Sequence, residues 1–383
     1  MNLRKFIFQT PVFIFFIFFN QLFAQEPCNE DIIMAIKGKW AKRPDASMNA
    51  SNLPQVISRI DKMQKLLQAA YPEPIGIEAG WYRSAGGYNS SVNTFAESYE
   101  LEALFKTYYC NKNVKKLLLG GETGNWFYIW VNKFSWFADY VTYFTINQQP
   151  VYLLTPAAGE LNGYKLYKGI GNENRNTGIK YSRALIITKP GQSPYLSVTR
   201  KQFLEAYLSH MKEYNLESLA AFEKNIHVYT DEQEEADKKQ SLENIERVTS
   251  PDKLARAKEN FLKNYITSKQ QKVLSIAKIK KMGEEELKPA QIFLANSTEQ
   301  ELEQPAIFDY RDIISFKEFS TDAKGGQQMV RINSDYFNNK LPKYIPQFLI
   351  VYWSWNTEKP SIDFANHIEN NFNFKALQAM LDK

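Results

Sequence analysis

Histidine and cysteine are scarce, three and two among 383 residues. His210, His227 and His367 stand far apart, and none belongs to a paired-ligand motif of the H-E-x-x-H type. Zinc needs cysteine, histidine or carboxylate ligands in a tight cluster, and no such spacing occurs, so no metal is expected. Nucleophile motifs are also missing: there is no G-x-S-x-G elbow and no S-x-x-K with its partner signatures. Phosphate loops fail on detail. Gly120-Gly121-Glu122-Thr123-Gly124 follows an apolar run but lacks the lysine and hydroxyl of a P-loop, and Gly169-Ile170-Gly171 has no third glycine in register. Both read as turns. Asn172, Asn174 and Asn176 alternate like early calcium ligands, but carboxylates are missing and Gly178 falls one place late, which leaves a polar loop. No catalytic residue and no cofactor is assigned. A basic stripe is lacking too, which argues against a nucleic-acid partner. Beyond the N-terminus, no apolar run is long enough to cross a membrane.

What is present begins with a leader. Arg4 and Lys5 precede an apolar core that is densest from Pro11 to Phe19, followed by a polar break at Asn20-Gln21 and then Leu22-Phe23-Ala24. That order is a secretory signal, with cleavage expected after Ala24. Its apolar run is short for the roughly 30 Å of a bilayer core. Cys28 follows Gln25-Glu26-Pro27 rather than small residues, which argues against a lipid anchor. The expected location is extracytoplasmic, periplasmic or secreted. Removal of residues 1–24 lowers the formal charge from +5 to +3. In that compartment Cys28 and Cys110 read as a disulfide rather than a metal site. If the two pair, no thiolate is left for catalysis.

The fold expectation is α+β: an antiparallel β-rich body, an N-terminal helical section, and an inserted or flanking charged helical hairpin. Residues 25–116 read as mostly helical. Val56, Ile57, Ile60, Met63, Leu66, Leu67 and Ala70 form one apolar stripe, stopped at Tyr71-Pro72-Glu73-Pro74. Gly76 to Tyr88 reads as a loop, and Val92 to Tyr109 as a second helix. Residues 117–198 read as β-rich, with strands at Trp126–Val131, Pro150–Leu154, Tyr164–Tyr167 and Ala184–Thr188 between turn signals. Residues 199–288 form the helical section. Thr199-Arg200-Lys201-Gln202 is a capping box, Ser250-Pro251-Asp252 marks a second start, and the acidic stretch Asp231–Asp237 joins the two helices. Residues 289–383 return to mixed structure, with strands at Gln328–Ile332 and Phe348–Trp353 and a closing helix docked by Phe374, Leu377 and Leu381. The strand sections on either side of the hairpin suggest one interrupted body or two small related ones.

Carboxylate pairs are the remaining route to catalysis: Glu97 with Glu100, three apart on the expected helix, and Asp309 with Asp312. Such pairs are common by chance. The large rings are mostly core material. The least bland group is Trp81-Tyr82-Arg83, beside a glycine-rich turn where a loop is expected. Together with Trp353 and Trp355 these are the candidate ligand-binding residues. The N-x-S/T tripeptides at Asn49, Asn89 and Asn296 matter only in a glycosylating source.

Three segments resemble those of uncharacterised exported proteins of Bacteroidetes. The first is Ala184-Leu185-Ile186-Ile187-Thr188-Lys189-Pro190-Gly191, leading through Pro194-Tyr195 to Val198-Thr199-Arg200-Lys201. The others are Val330-Arg331-Ile332-Asn333 with Asp335-Tyr336-Phe337, and Ala376-Leu377-Gln378-Ala379-Met380-Leu381. The likeness covers about half of the chain. It implies a periplasmic or secreted location and carries no activity. The functional expectation is a non-enzymatic binding or envelope-associated protein whose partner is an envelope glycan or another envelope protein. The alternatives are an extracytoplasmic hydrolase of glycan or peptide using carboxylates, and a structural partner acting through the helical hairpin.

Overall fold

The computed structural model describes residues 28–86, 95–111, 113, 116–121, 124–133, 138–169, 178–225, 231–309 and 315–383. The leader, Asn89, the Asn172–Asn176 alternation, His227 and Asp312 lie outside the described residues.

The chain opens with α1 (Glu30–Met34), β1 (Trp40–Lys42), α2 (Leu53–Ala70) and β2 (Ile77–Ala85). Then come β3 (Tyr99–Asn111), β4 (Lys116–Leu119), β5 (Asn125–Val131), β6 (Ala138–Ile146) and β7 (Gln149–Leu154). Next are β8 (Ala157–Leu161), β9 (Tyr164–Lys168), β10 (Tyr181–Ile187) and β11 (Tyr195–Ser197). Three long helices follow: α3 (Arg200–Asn225), α4 (Asp231–Val248) and α5 (Pro251–Asn296). The chain closes with α6 (Glu299–Leu302), β12 (Ile307–Phe308), β13 (Gln327–Ile332), β14 (Leu349–Trp355), α7 (Lys359–Asn371) and α8 (Phe374–Gln378). The fold is α+β with antiparallel-rich sheets.

Nine strands form a large sheet in the order β1-β2-β3-β5-β14-β10-β9-β8, with β4 beside the end of β3. Among the described strands, only β1 and β2 run parallel. A five-stranded small sheet runs β11-β13-β7-β6, with β12 also on β13. Strands from before and after the helical section alternate in both sheets: β14 lies between β5 and β10, and β13 between β11 and β7. The β body is therefore one structure with the helices inserted in it.

The pleat sends alternate side chains to opposite faces, and three cores follow. Leu101, Phe105, Phe127, Ile129, Leu185, Val351 and Trp353 on one face of the large sheet pack against Val56, Ile60, Met63 and Leu67 of α2, Phe364 and Ile368 of α7, and Phe374 and Leu377 of α8. From the other face Trp130, Tyr167, Ala184, Ile186, Ile350 and Tyr352 meet Tyr152, Leu154, Val330 and Ile332 of the small sheet. The far face of the small sheet, with Val151, Leu153 and Met329, packs on Phe203, Leu204, Tyr207, Leu287 and Ala290 of α3 and α5. Each fully buried aliphatic or phenylalanine side chain stabilises this layering by about 1.5–3 kcal/mol.

The N-terminal section differs from its sequence reading. The helix expected over Val92–Tyr109 is replaced by strand β3 in its described part, and the loop expected over Gly76–Tyr88 is largely strand β2. Residues 25–116 thus supply three strands, and the first residue of a fourth, as well as α1 and α2, rather than a mostly helical unit. Tyr99, Leu101, Leu104, Phe105 and Tyr108 fit a helical spacing, but Tyr99, Leu101, Ala103 and Phe105 also fit a period of two. Pairing with β2 and β5 on both sides decides for the strand. The acidic stretch Asp231–Asp237 is not a connector: it forms the first turns of α4.

Elsewhere the local signals coincide with the elements. In the capping box the Thr199 hydroxyl accepts from Gln202 N at 3.2 Å, and Thr199 N donates to Gln202 Oε1 at 3.1 Å. Ser250 stands at the N-cap position of α5 in extended conformation, without a side-chain capping bond, and Pro251 follows at the first position. Cys28 and Cys110 form a disulfide across 82 residues, tying the chain before α1 to the end of β3. Among the described residues, no helix is long and apolar enough to cross a membrane.

Candidate functional site

The alternation of β3 that puts Leu101 and Phe105 in the helix-side core sends Glu100, Glu102 and Leu104 to the opposite face. Register then builds a transverse row. Tyr82 on β2 lies across from Glu102, Glu102 from Tyr128 on β5, and Tyr128 from Tyr352 on β14. The row continues through Ala184 to Tyr167. Tyr167 and Tyr352 are buried between the sheets, whereas Tyr128, Glu102 and Tyr82 are only half-buried.

Aromatic rings floor this face. Trp126, Tyr128 and Trp130, alternate residues of β5, stack with ring centroids 5.8 and 5.1 Å apart. The Tyr352 ring stands 5.8 Å from that of Tyr128. Polar atoms converge on it. The Tyr128 hydroxyl donates to Glu102 Oε1 at 3.2 Å, and the Tyr82 hydroxyl also bonds to Glu102. Tyr352 bonds to Ser354 and Ser182. On the β2 side Arg43 lies across Gly80, where an added Cβ would run into the guanidinium. The positive charge of Arg43 also reaches the Tyr82 phenol.

Two carboxylates two residues apart meet different fates here. Glu100 is buried and joined to Lys133 at 2.9 Å, with 7 % and 2 % of the two side chains exposed. Among the described residues, Glu102 forms no ion pair of this kind. Burial, with help from the neighbouring Glu100 charge, raises its pKa against the pull of the two tyrosine hydrogen bonds and Lys133. The Tyr82 and Tyr128 phenols are themselves pushed far up, first by burial and then by Glu102, so they stay protonated and act as donors. The result is a carboxyl group that can accept hydrogen bonds when ionised and donate one when protonated, set among fixed hydroxyls and rings.

No family model, curated protein or solved structure matches the chain. Geometry alone therefore carries the functional reading.

Of the candidate ligand-binding residues named from the sequence, only Tyr82 belongs to this face; Glu100, from the carboxylate pairs, shares it but is held by Lys133. Trp81 and Arg83 flank Tyr82 and, by the pleat, point to the other side. Trp81 packs at the edge of the helix-side core with Lys42 Nζ 5.8 Å from its ring centre. Arg83 is a clamp: it bonds to Asp45 at 2.6 Å and to Asp61 of α2 at 3.1 Å, fastening that helix and the segment after β1 to β2. The arginine beside it holds the Asp45 carboxyl below its usual range. Trp353 is fully buried among core side chains and donates to Glu369 at 3.2 Å. Trp355 is half-buried at the end of β14, with the Tyr181 ring 5.5 Å away and the Arg183 guanidinium 5.5 Å above it. With β3 and β5 between β2 and β14, these residues do not form one site.

The Glu97–Glu100 pair is likewise split. Glu97 precedes β3 and accepts from Ser51 N at 3.1 Å, while Glu100 is paired with Lys133. Asp309 is exposed. His210 rides on α3 near Tyr214, and His367 on α7 lies 4.6 Å from the Tyr71 ring. Among the described residues, no cluster of three histidine, cysteine or acidic side chains could hold a metal. Glu102, Tyr128, Tyr352 and Arg43 escaped the sequence reading. The signal that could have found Glu102 was the strict alternation Tyr-Glu-Leu-Glu-Ala from Tyr99 to Ala103, which marks a strand with one acidic face.

Proposed function

We propose that this chain is a non-enzymatic binding protein working outside the cytoplasm, and that it takes a segment of envelope glycan on the face formed by Arg43, Tyr82, Glu102, Tyr128 and Trp126. The observation that carries the reading is the Glu102 carboxyl, held between two tyrosine hydroxyls beside a stacked aromatic row. Sugars present apolar C–H faces for rings and hydroxyls for just such donors and acceptors, and binding sites combine apolar walls with a few convergent polar groups. The compartment is supported by the leader-like N-terminus and by the disulfide, a bond that persists in oxidising surroundings.

Binding is favoured over hydrolysis by the state of the second carboxylate. Glycosidases of the common kind set two carboxyl groups across the scissile bond. Here Glu100 is buried and consumed by Lys133, and Glu102 is the carboxylate that opens on this face.

Isothermal titration with oligosaccharides prepared from bacterial envelopes tests the proposal. One such fragment is expected to bind, and Trp126→Ala or Glu102→Gln to weaken it roughly tenfold or more, about 1.4 kcal/mol. Substitution of the fully buried Trp353 is the wrong control because it unfolds the core; Trp355→Ala, on the far side of the sheet, leaves binding intact. Absence of heat with every envelope fragment, or binding indifferent to Trp126 and Glu102, overturns the reading.

A further inference from the structure

The three long helices form an arm. Its base is anchored in the core against the small sheet by Phe203, Leu204, Tyr207, Met211, Leu287 and Ala290. Beyond that base, no described residue between 212 and 286 is buried. Helix α5 is the spine. First α3 and then α4 run antiparallel to it: Asn215 donates to the Gly283 carbonyl at 3.2 Å, Tyr265 donates to the Glu234 carbonyl at 3.2 Å, and Lys269 and Lys258 pair with Glu234 and Glu246. From Pro251 to Glu286 the spine extends about 54 Å at 1.5 Å per residue.

A hairpin two helices thick covers one stripe of each helix only in part and leaves the outer stripes bare. On α5 these carry Leu262, Ile266, Val273 and Leu274, the last three 56 %, 59 % and 68 % exposed. Residues 262, 266 and 273 lie within about 40° of one another at 100° per residue, so they form one seam. On α3 Leu216 is 68 % exposed. The charge pattern beside this seam is divided. Residues 263–281 contain six lysines and no acidic residue, while residues 231–237 contain five acidic residues and no basic one.

We propose that the arm pairs with the same arm of a second copy of this chain, side by side and antiparallel, to make a four-helix bundle. The acidic turns of each α4 face the lysines of the partner's α5, and the Leu262–Ile266–Val273 seams close on each other. Self-pairing fits because one arm carries both signs of charge at the same level. An anionic lipid surface would attract the lysines but repel Glu232, Glu235 and Asp237 alongside them. The area suffices: two helices about 10 Å wide over about 54 Å offer roughly 1,000 Å² per arm, above the about 800 Å² per partner of a standard interface. Antiparallel order follows from the body. Its eight-strand path is roughly 35 Å across at about 4.8 Å per strand, too wide for two bodies to sit side by side at the 8–10 Å spacing of packed helices. This inference is independent of the glycan site, which lies on the opposite side of the small sheet from the base of the arm.

Sedimentation velocity of the disulfide-intact chain, from low to high micromolar concentration, tests it. An elongated dimer is expected. Ile266→Lys and Val273→Lys are each expected to raise the dimer dissociation constant roughly 30-fold, the effect of an interface hot spot, with the near-ultraviolet dichroism of the body unchanged. Ile266→Cys, close to the twofold axis, is expected to oxidise to a covalent dimer that dithiothreitol separates. A monomer throughout the range, or a dimer untouched by both lysine substitutions, overturns the proposal. So does a monomer that co-sediments with phosphatidylglycerol vesicles, since lipid is then the occupant.

Discussion

Glu100 and Glu102 show how much a single residue's surroundings decide. They share a strand and a face, yet one is neutralised by Lys133 at 2.9 Å and the other is held with its pKa raised. Removing the cation strands a buried charge. Lys133→Met is expected to destabilise the fold by about 3–5 kcal/mol, and Glu100→Gln added to it to restore most of that loss, because a matched neutral pair carries no desolvation penalty. Urea denaturation of the three variants measures this, and full additivity would show that the pair does not interact. Glu102 has the opposite consequence. Its folded pKa lies above the ordinary carboxylate value of about 4.3, so the folded state holds the proton longer than the unfolded one. Stability therefore falls as pH rises through the window between those two values. Glu102→Gln should flatten this slope in the urea midpoint. Asp45, lowered by Arg83, has the reverse sign: its contribution is present above the unfolded value and lost as pH falls through the folded one. The wild-type profile should thus lose stability on the acid side through Asp45 whatever stands at 102.

At the scale of elements, legibility depended on whether local chemistry or pairing decided the outcome. The α3 capping box, the Ser250-Pro251 start of α5, the Leu53–Ala70 stripe and the β14 run were all readable because caps, prolines and long periodic patterns act within one segment. Strand β3 was not, because Leu, Glu, Ala and Lys favour helix and only the neighbours β2 and β5 overrule them. The face around Glu102 was missed for the same reason. Glu102 gains its meaning from Tyr82 and Tyr128, which stand 20 and 26 residues away in sequence. The disulfide, by contrast, was legible from the cysteine count and the leader-like N-terminal sequence. Because it ties the chain before α1 to the end of β3 across 82 residues, Cys28→Ser with Cys110→Ser is expected to cost about 4–5 kcal/mol in the chain-entropy model. The denaturant midpoint should fall and the slope should rise, because the released unfolded chain is less compact; an unchanged midpoint would mean that the unfolded chain gains nothing from release of the loop.

For the whole molecule, the decisive feature is the insertion. The central strands β14 and β13 come from the last hundred residues, so neither sheet closes until the chain has passed through the helical arm and returned. No pattern within one segment could reveal this. The arm and the body nevertheless share little beyond the base, because no described residue from 212 to 286 is buried while Phe203, Tyr207, Leu287 and Ala290 are. Replacing residues 212–286 with a short glycine-serine turn between the stubs of α3 and α5 should therefore leave the body's stability within about 1 kcal/mol, since a shorter connection lowers the closure entropy only slightly. The shortened protein should keep the proposed glycan binding and lose the proposed self-association. Chemical denaturation, titration and sedimentation of this one variant read the three properties separately. A body that fails to unfold cooperatively after the excision would show that the arm is part of the folding unit, and that the order of the β body depends on contacts made far out along the helices.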